Sequence, residues 1–194
     1  VGKSALNSNT TASSNTAVGY QALLENTTGN NNVALGFETL LANTVGDRST
    51  AIGNHALKSQ NPSSNVDMYN VAVGFQAGYQ VTTGTINTLI GSLSGEALTT
   101  GNSNVAVGYN SLKAETAGDR NVAIGVAALQ SQNFTSTQDT YNIGVGYGAG
   151  SLITTGLRNT AVGSLSLDKS TTGSYNTALG YGTLSSQTAT GDAY

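Results

Sequence analysis

Eleven glycines, each preceded by Val, Ile or Leu, recur along this 194-residue chain at an almost constant pitch. They are Gly2, Gly19, Gly36, Gly53, Gly74, Gly91, Gly108, Gly125, Gly146, Gly163 and Gly180, with successive spacings of 17, 17, 17, 21, 17, 17, 17, 21, 17 and 17. A unit this short cannot bury its own apolar face, so its copies must stack and bury it against one another. The chain is therefore expected to be all-β: a parallel β-solenoid of about eleven 17-residue coils, with 1–194 forming one repeat domain. The regular aliphatic spacing separates it from a disordered chain of similar composition, which here is rich in Asn, Ser, Thr and Gly and only 9% charged.

Aligning the copies on their glycine exposes fixed columns. Four residues earlier stands Asn, from Asn15 to Asn176, with Ser49 as the exception; two earlier is usually Ala, as in Ala34 and Ala123. Three residues later comes a small residue, then commonly Leu (Leu23, Leu40, Leu57), and eight later Thr in every copy without the longer spacing, from Thr10 to Thr188. Stacked Asn amides can hydrogen-bond along the axis, and stacked Thr suits a β surface. The stretch Asn32-Val33-Ala34-Leu35-Gly36 reads as a short alternating strand. If Leu35 points inward, Ala34 and Gly36 lie on the other face. The next stretch, such as Tyr20 to Glu25, fits a second short strand or a single helical turn, and Thr-Thr-Gly-Asn groups read as turns.

The spacing of 21 occurs twice and sets a super-period of 72. Residues 47–84 and 119–156 align without gaps, so the extra residues make two matching loops, 58–69 and 130–141. Loops on one face of a solenoid are frequent binding places. Asp67 and Tyr69 in one, with Asp139 and Tyr141 in the other, are the candidate receptor contacts. An aromatic column after the glycine (Tyr20, Phe37, Phe75, Tyr109, Tyr147, Tyr181) and the thin core of a 17-residue coil both favour self-association.

Material for catalysis is scarce. His55 is the single histidine, there is no cysteine, and no acidic loop has calcium-binding spacing. His55 stands where other copies carry Gln21 or Glu38, so a solvated surface position is expected for it. Asp47 and Asp119, each beside an Arg, suit turn contacts or surface ion pairs. Gly144-Val145-Gly146-Tyr147-Gly148 lacks the helix and Lys of a phosphate loop. No catalytic residue, metal ligand or cofactor is expected. A net charge of −3 without a basic cluster speaks against nucleic acid, and no apolar run long enough for membrane insertion occurs. Val1 falls in mid-repeat, so a fibre longer than this segment is expected.

The strings Asn-Thr-Ala-Val-Gly-Tyr (15–20), Asn-Val-Ala-Ile-Gly (121–125) and Asn-Thr-Ala-Leu-Gly (176–180) resemble the head repeats of YadA-type trimeric autotransporter adhesins. Similar strings occur in phage and viral tail fibres. The resemblance covers essentially the whole chain, although these coils are longer than those of such heads. It implies a left-handed β-roll, an intertwined or side-by-side homotrimer, and attachment to a host glycan or protein receptor. It places the segment outside the cell, on a virion fibre or a bacterial surface. The expected function is thus a non-enzymatic structural and attachment segment. The alternatives are an ice-binding solenoid, which the Thr column suggests but the following Gly spoils, and a glycan-cleaving fibre.

Overall fold

The computed structural model describes residues 2–186. Among them there is no helix, and the chain coils into a parallel β-solenoid of about ten turns. Each turn lays down one three-residue strand. In chain order these are β1 (Thr16–Val18), β2 (Val33–Leu35), β3 (Thr50–Ile52), β4 (Val71–Val73), β5 (Thr88–Ile90) and β6 (Val105–Val107). After β7 (Gly118–Asp119) come β8 (Val122–Ile124), β9 (Gln138–Asp139), β10 (Ile143–Val145), β11 (Thr160–Val162) and β12 (Thr177–Leu179). All but β7 and β9 form one ten-stranded sheet in chain order, and those two pair separately beside it. Register follows the glycine phase, as in Ala17 opposite Ala34 and Ala51 opposite Ala72, so every sequence column becomes a physical ladder.

The direction of the strands corrects one expectation. Ala34 is fully buried and Leu35 is 45% exposed, so the aliphatic before the glycine faces outward and the alanine inward. The Asn four residues ahead of the glycine dictates this. Its amide must enter the interior to find partners, and two-residue alternation then carries the alanine in and the aliphatic out.

Residues after the glycine are neither strand nor helical turn. They are stacked turns with left-handed backbone two and four residues on, such as Gln21 (φ 54°) and Leu23 (φ 51°). The left-handed leucine four residues after the glycine points into the centre and is fully buried at Leu23, Leu40, Leu57, Leu112, Leu129 and Leu167. Hydrogen bonds run to the next coil: the Leu23 N–H donates to the Thr39 carbonyl at 3.0 Å and Leu40 to that of Ala56 at 3.1 Å. Ladder bonding offsets the roughly 1–2 kcal/mol that left-handed backbone costs a side-chain-bearing residue. The repeating glycine has a different constraint. At Gly108 (φ 135°) a Cβ would sit 2.5 Å from the Gly125 carbonyl oxygen, so only glycine lets the coils close to β spacing there.

The interior is half apolar and half amide. Asn32 is fully buried; its Nδ2 donates to the Gly46 carbonyl at 2.9 Å and its Oδ1 accepts the Ser49 N–H at 2.9 Å. The same pair of bonds recurs at Asn70, Asn87, Asn104, Asn142 and Asn159. Where Ser49 is too short, Gln60 substitutes, bonding Ser49 Oγ and accepting from Asn70 Nδ2 at 3.0 Å. Glu115 is fully buried among donors: Oε1 accepts the N–H groups of Thr116, Ala117, Gly118 and Phe134, and Oε2 accepts Gln132 Nε2. Such complete satisfaction is what allows polar side chains inside so thin a core.

Volume is traded between two columns. Coils with an inward Leu four residues after the glycine carry Asn26, Asn43, Gln60, Glu115, Gln132 or Ser170 three residues later, all fully buried. Coils with Gly78, Gly95 or Gly150 in the leucine's place carry Val81, Leu98 or Ile153 instead, also fully buried. The apolar filler moves across the coil, and packing stays continuous.

Candidate functional site

The two long coils keep register up to Asn61 and Asn133. The Thr44 hydroxyl donates to Asn61 Oδ1 at 2.7 Å, and that of Thr116 to Asn133 Oδ1 at 3.0 Å. Register resumes at Asp67, which bridges to Asp47, and at β9, where Asp139 lies opposite Asp119. The extra residues are thereby confined to the outward bulges 63–66 and 135–137 inside the loops expected at 58–69 and 130–141. Buried Pro62 and Met68 anchor the first bulge; buried Phe134 and Thr140 anchor the second.

The structure brings each predicted pair together and adds an arginine to it. Arg48 Nε lies 2.9 Å from Asp67 Oδ1, its Nη1 donates to Tyr69 Oη at 3.1 Å, and the Tyr69 hydroxyl donates to Asp67 Oδ2 at 2.9 Å. Arg120 makes the equivalent ion pair with Asp139, and the Tyr141 hydroxyl donates to Asp139 Oδ2 at 3.2 Å. The Tyr69 hydroxyl, followed by Asp67, raises the already high pKa of Arg48, which keeps the guanidinium charged. The adjacent Asp47 and Asp119 serve the turns instead, accepting the backbone N–H groups of Asn30 and Asn102 at 2.6 Å.

Arg48, Tyr69, Arg120 and Tyr141 belong to a column that the sequence columns did not single out: the residue just before the inward Asn, or before Ser49 where Ser replaces it. It is left-handed in coil after coil (Arg48 φ 59°, Ile86 φ 61°, Arg120 φ 60°, Tyr175 φ 60°), which lifts its side chain out of the solenoid. Consecutive coils stack Arg120, Tyr141, Arg158 and Tyr175, with guanidinium carbons 5.5–5.9 Å from the ring centroids. The signal was available as Arg, Tyr, Arg and Tyr at spacings of 21, 17 and 17, but only the geometry gives that position a direction. Beside this ladder the second bulge frames a depression of about 450 Å³, lined by Asn133, Phe134, Thr135, Ser136, Gln138, Thr155 and Leu157. A trough of about 660 Å³ runs across the coils onto the start of the second loop, lined by Gln80, Glu96, Ala97, Lys113, Ala114 and Gln130 among others.

Other columns also acquire places. His55 is only partly exposed: Nε2 is 3.3 Å from Glu38 Oε2, and its ring meets Phe37 and Tyr79 edge to face. Its solvated placement is corrected, because stacking sets its ring between neighbouring coils. Lys58 Nζ reaches the same Glu38 carboxylate at 2.7 Å and holds its pKa below the ordinary value. Thr hydroxyls of the turn column donate to backbone carbonyls of the next coil, as Thr27 to Thr44 at 3.0 Å and Thr99 to Thr116 at 2.9 Å. Those donors are spent inside the ladder rather than offered to a surface lattice. Thr188 and Val1 lie outside the described residues. Among the described residues no three His, Asp or Glu side chains converge as metal ligands would.

The outer face of the ten-stranded sheet is the other large feature. Its first column runs Thr16, Val33, Thr50, Val71, Thr88, Val105, Val122, Ile143, Thr160 and Thr177; its second runs Val18, Leu35, Ile52, Val73, Ile90, Val107, Ile124, Val145, Val162 and Leu179. No charge interrupts either column, and none of these side chains is fully buried. The aromatic column continues the apolar surface, with Tyr20 and Phe37 stacked at 5.2 Å. No family model, curated protein or solved structure matches this chain.

Proposed function

We propose that this chain is a structural fibre or adhesin segment without enzymatic activity, in which three copies pack their outer sheet faces together and display the loops for attachment. The carrying observation is that outer face: two unbroken columns of β-branched and aliphatic residues over ten strands. At about 4.8 Å per coil, the second column is an unbroken aliphatic stripe tens of ångströms long beside a column half of which is Thr, more apolar surface than a soluble monomer normally leaves wet. A second copy with the same ladder spacing matches it residue for residue. Threefold packing and left-handed winding follow the resemblance to trimeric adhesin heads and tail fibres, and the full count of about eleven coils follows the glycine series. The repeated loops suit attachment, because many weak contacts presented at regular intervals add through avidity. A host or cell-surface glycan or protein is the proposed receptor, and the outside of a virion or bacterium the proposed location.

Light scattering coupled to size exclusion tests the assembly. A mass three times the 19.6 kDa chain supports it, and a stable monomer sinks it. Binding of the purified assembly to host or cell surfaces tests attachment, and release of reducing ends from a polysaccharide panel would replace it with glycan cleavage.

A further inference from the structure

The two loops are an internal comparison, because 72 residues separate equivalent positions. In both, an arginine is neutralised by an aspartate: Arg48 by Asp67 and Arg120 by Asp139. One coil further on they diverge. The first super-repeat has Ile86 and then Ser103 in the left-handed column, and the second has Arg158 and then Tyr175. Arg158 is held between two rings, 5.9 Å from the centre of Tyr141 and 5.5 Å from that of Tyr175, and its Nη1 donates to Tyr175 Oη at 2.8 Å. Among the described residues it has no ion pair, unlike Arg48 and Arg120. The reason is legible. Asp67 and Asp139 sit two residues before their tyrosines, whereas the residue two before Tyr175 is Gly173.

We infer that this missing carboxylate is supplied by a ligand, and that the second loop binds a carboxylate-bearing sugar with its acid group on Arg158. The inference rests on the attachment reading above and gives it a ligand class. Arg158 is exposed, permanently charged and preorganised by its two rings, so little rotamer entropy is lost on binding. The 450 Å³ depression next to it has the size of a small saccharide site. Gln138 and Leu157 on its wall are the chain neighbours of Asp139 and Arg158, which places depression and ladder side by side. Carboxamides (Asn133, Gln138) and hydroxyls (Thr135, Ser136, Thr155) suit sugar hydroxyls, while Leu157 offers an apolar patch for ring C–H groups. The equivalent first-loop positions hold Val66 for Gln138 and Thr85 for Leu157, so the first loop lacks this set. An acidic peptide fits less well. Peptides are commonly captured through main-chain pairing at a strand edge, whereas the lining of this depression offers side-chain carboxamides and hydroxyls, which match sugar hydroxyls better.

The test titrates the intact chain with N-acetylneuraminic and glucuronic acids, using N-acetylglucosamine and glucose as neutral controls, by calorimetry and saturation-transfer NMR. Saturable binding of an acidic sugar but neither neutral one is expected. Arg158→Gln should weaken it about tenfold or more, as loss of a charge-assisted hydrogen-bond pair does, with the circular dichroism unchanged. Arg48→Gln in the first loop should leave it intact. Should Arg158→Gln lose the β signal, Arg158→Lys, which keeps the charge without the planar fork, should still bind several-fold more weakly than the parent chain. Equal binding of acidic and neutral sugars, equal loss in Arg48→Gln, no loss in either Arg158 variant, or no saturable binding overturns the proposal. An assembly that adheres to surfaces yet ignores acidic sugars overturns this site alone. Acidic-sugar binding by a chain that does not adhere overturns the attachment reading and leaves the site standing.

Discussion

The trade between leucine and aliphatic columns makes a quantitative demand on Gly150 and Ile153. A Cβ on Gly150 would lie 2.8 Å from Leu129 Cδ2 and 2.9 Å from Ile153 Cδ1, so the inward space is already filled from both sides. Gly150→Leu alone overpacks the coil and should cost about 2–3 kcal/mol. Its backbone is not the obstacle: φ is 59° at Gly150 and about 50° at the buried Leu40 and Leu57. Ile153→Asn alone removes a fully buried aliphatic, a loss of about 2–5 kcal/mol. Part of that is recovered, because the new amide finds the Gly156 carbonyl, as Asn26 finds that of Gly29 at 3.0 Å and Asn43 that of Gly46 at 2.9 Å. The double variant rebuilds the arrangement of the Leu23 and Leu40 coils and should lose only about 1–2 kcal/mol, which leaves a favourable coupling of about 3 kcal/mol. Urea unfolding followed by circular dichroism measures all four corners of the cycle. Additive losses within about 0.5 kcal/mol would show that the two columns do not exchange volume, and the packing argument would fail.

Four further outcomes follow from the same structure. Val107→Glu places a charge in the middle of the uncharged sheet face and should turn the assembly into monomer by light scattering while the β signal persists; an unchanged mass would remove that face from the interface. Asn87→Leu strands the Asn104 N–H and the Gly101 carbonyl inside the solenoid and should cost about 3–5 kcal/mol, with faster amide exchange at Asn104 in hydrogen-exchange NMR. Gly108→Ala drives a Cβ onto the Gly125 carbonyl and should abolish cooperative folding, seen as loss of the thermal transition. Lys58 lowers the Glu38 pKa below 4.5, so the ion pair contributes fully above that pH and is lost as the carboxylate protonates below it. Melting temperatures of the parent and Lys58→Met should therefore differ at pH 7 and converge near pH 3.

Much of the architecture could be read from spacing alone. The glycine series sets the coil length because β spacing brings Gly108 against Gly125 and leaves no room for a side chain. Columns of Asn and Thr likewise announce ladders, since identical groups at identical phases must meet when coils stack. The phase of 72 locates both loops and pairs Asp67 with Tyr69 and Asp139 with Tyr141, for these depend only on position along the chain.

Side-chain direction needed the tertiary structure. Inward leucines such as Leu23 sit on left-handed backbone, a conformation that no local propensity favours and that stacking bonds from neighbouring coils hold in place. The strand aliphatics turn outward because the Asn amides claim the interior, and that preference exists only once a second coil supplies the carbonyl and N–H to bond. For the same reason Arg158 was one scattered charge in the sequence. Its lack of a carboxylate partner, and its place between Tyr141 and Tyr175, come into being only when coils 17 residues apart are brought into contact. The one-dimensional pattern determined what stacks on what; the stacked backbone decided which way each residue faces.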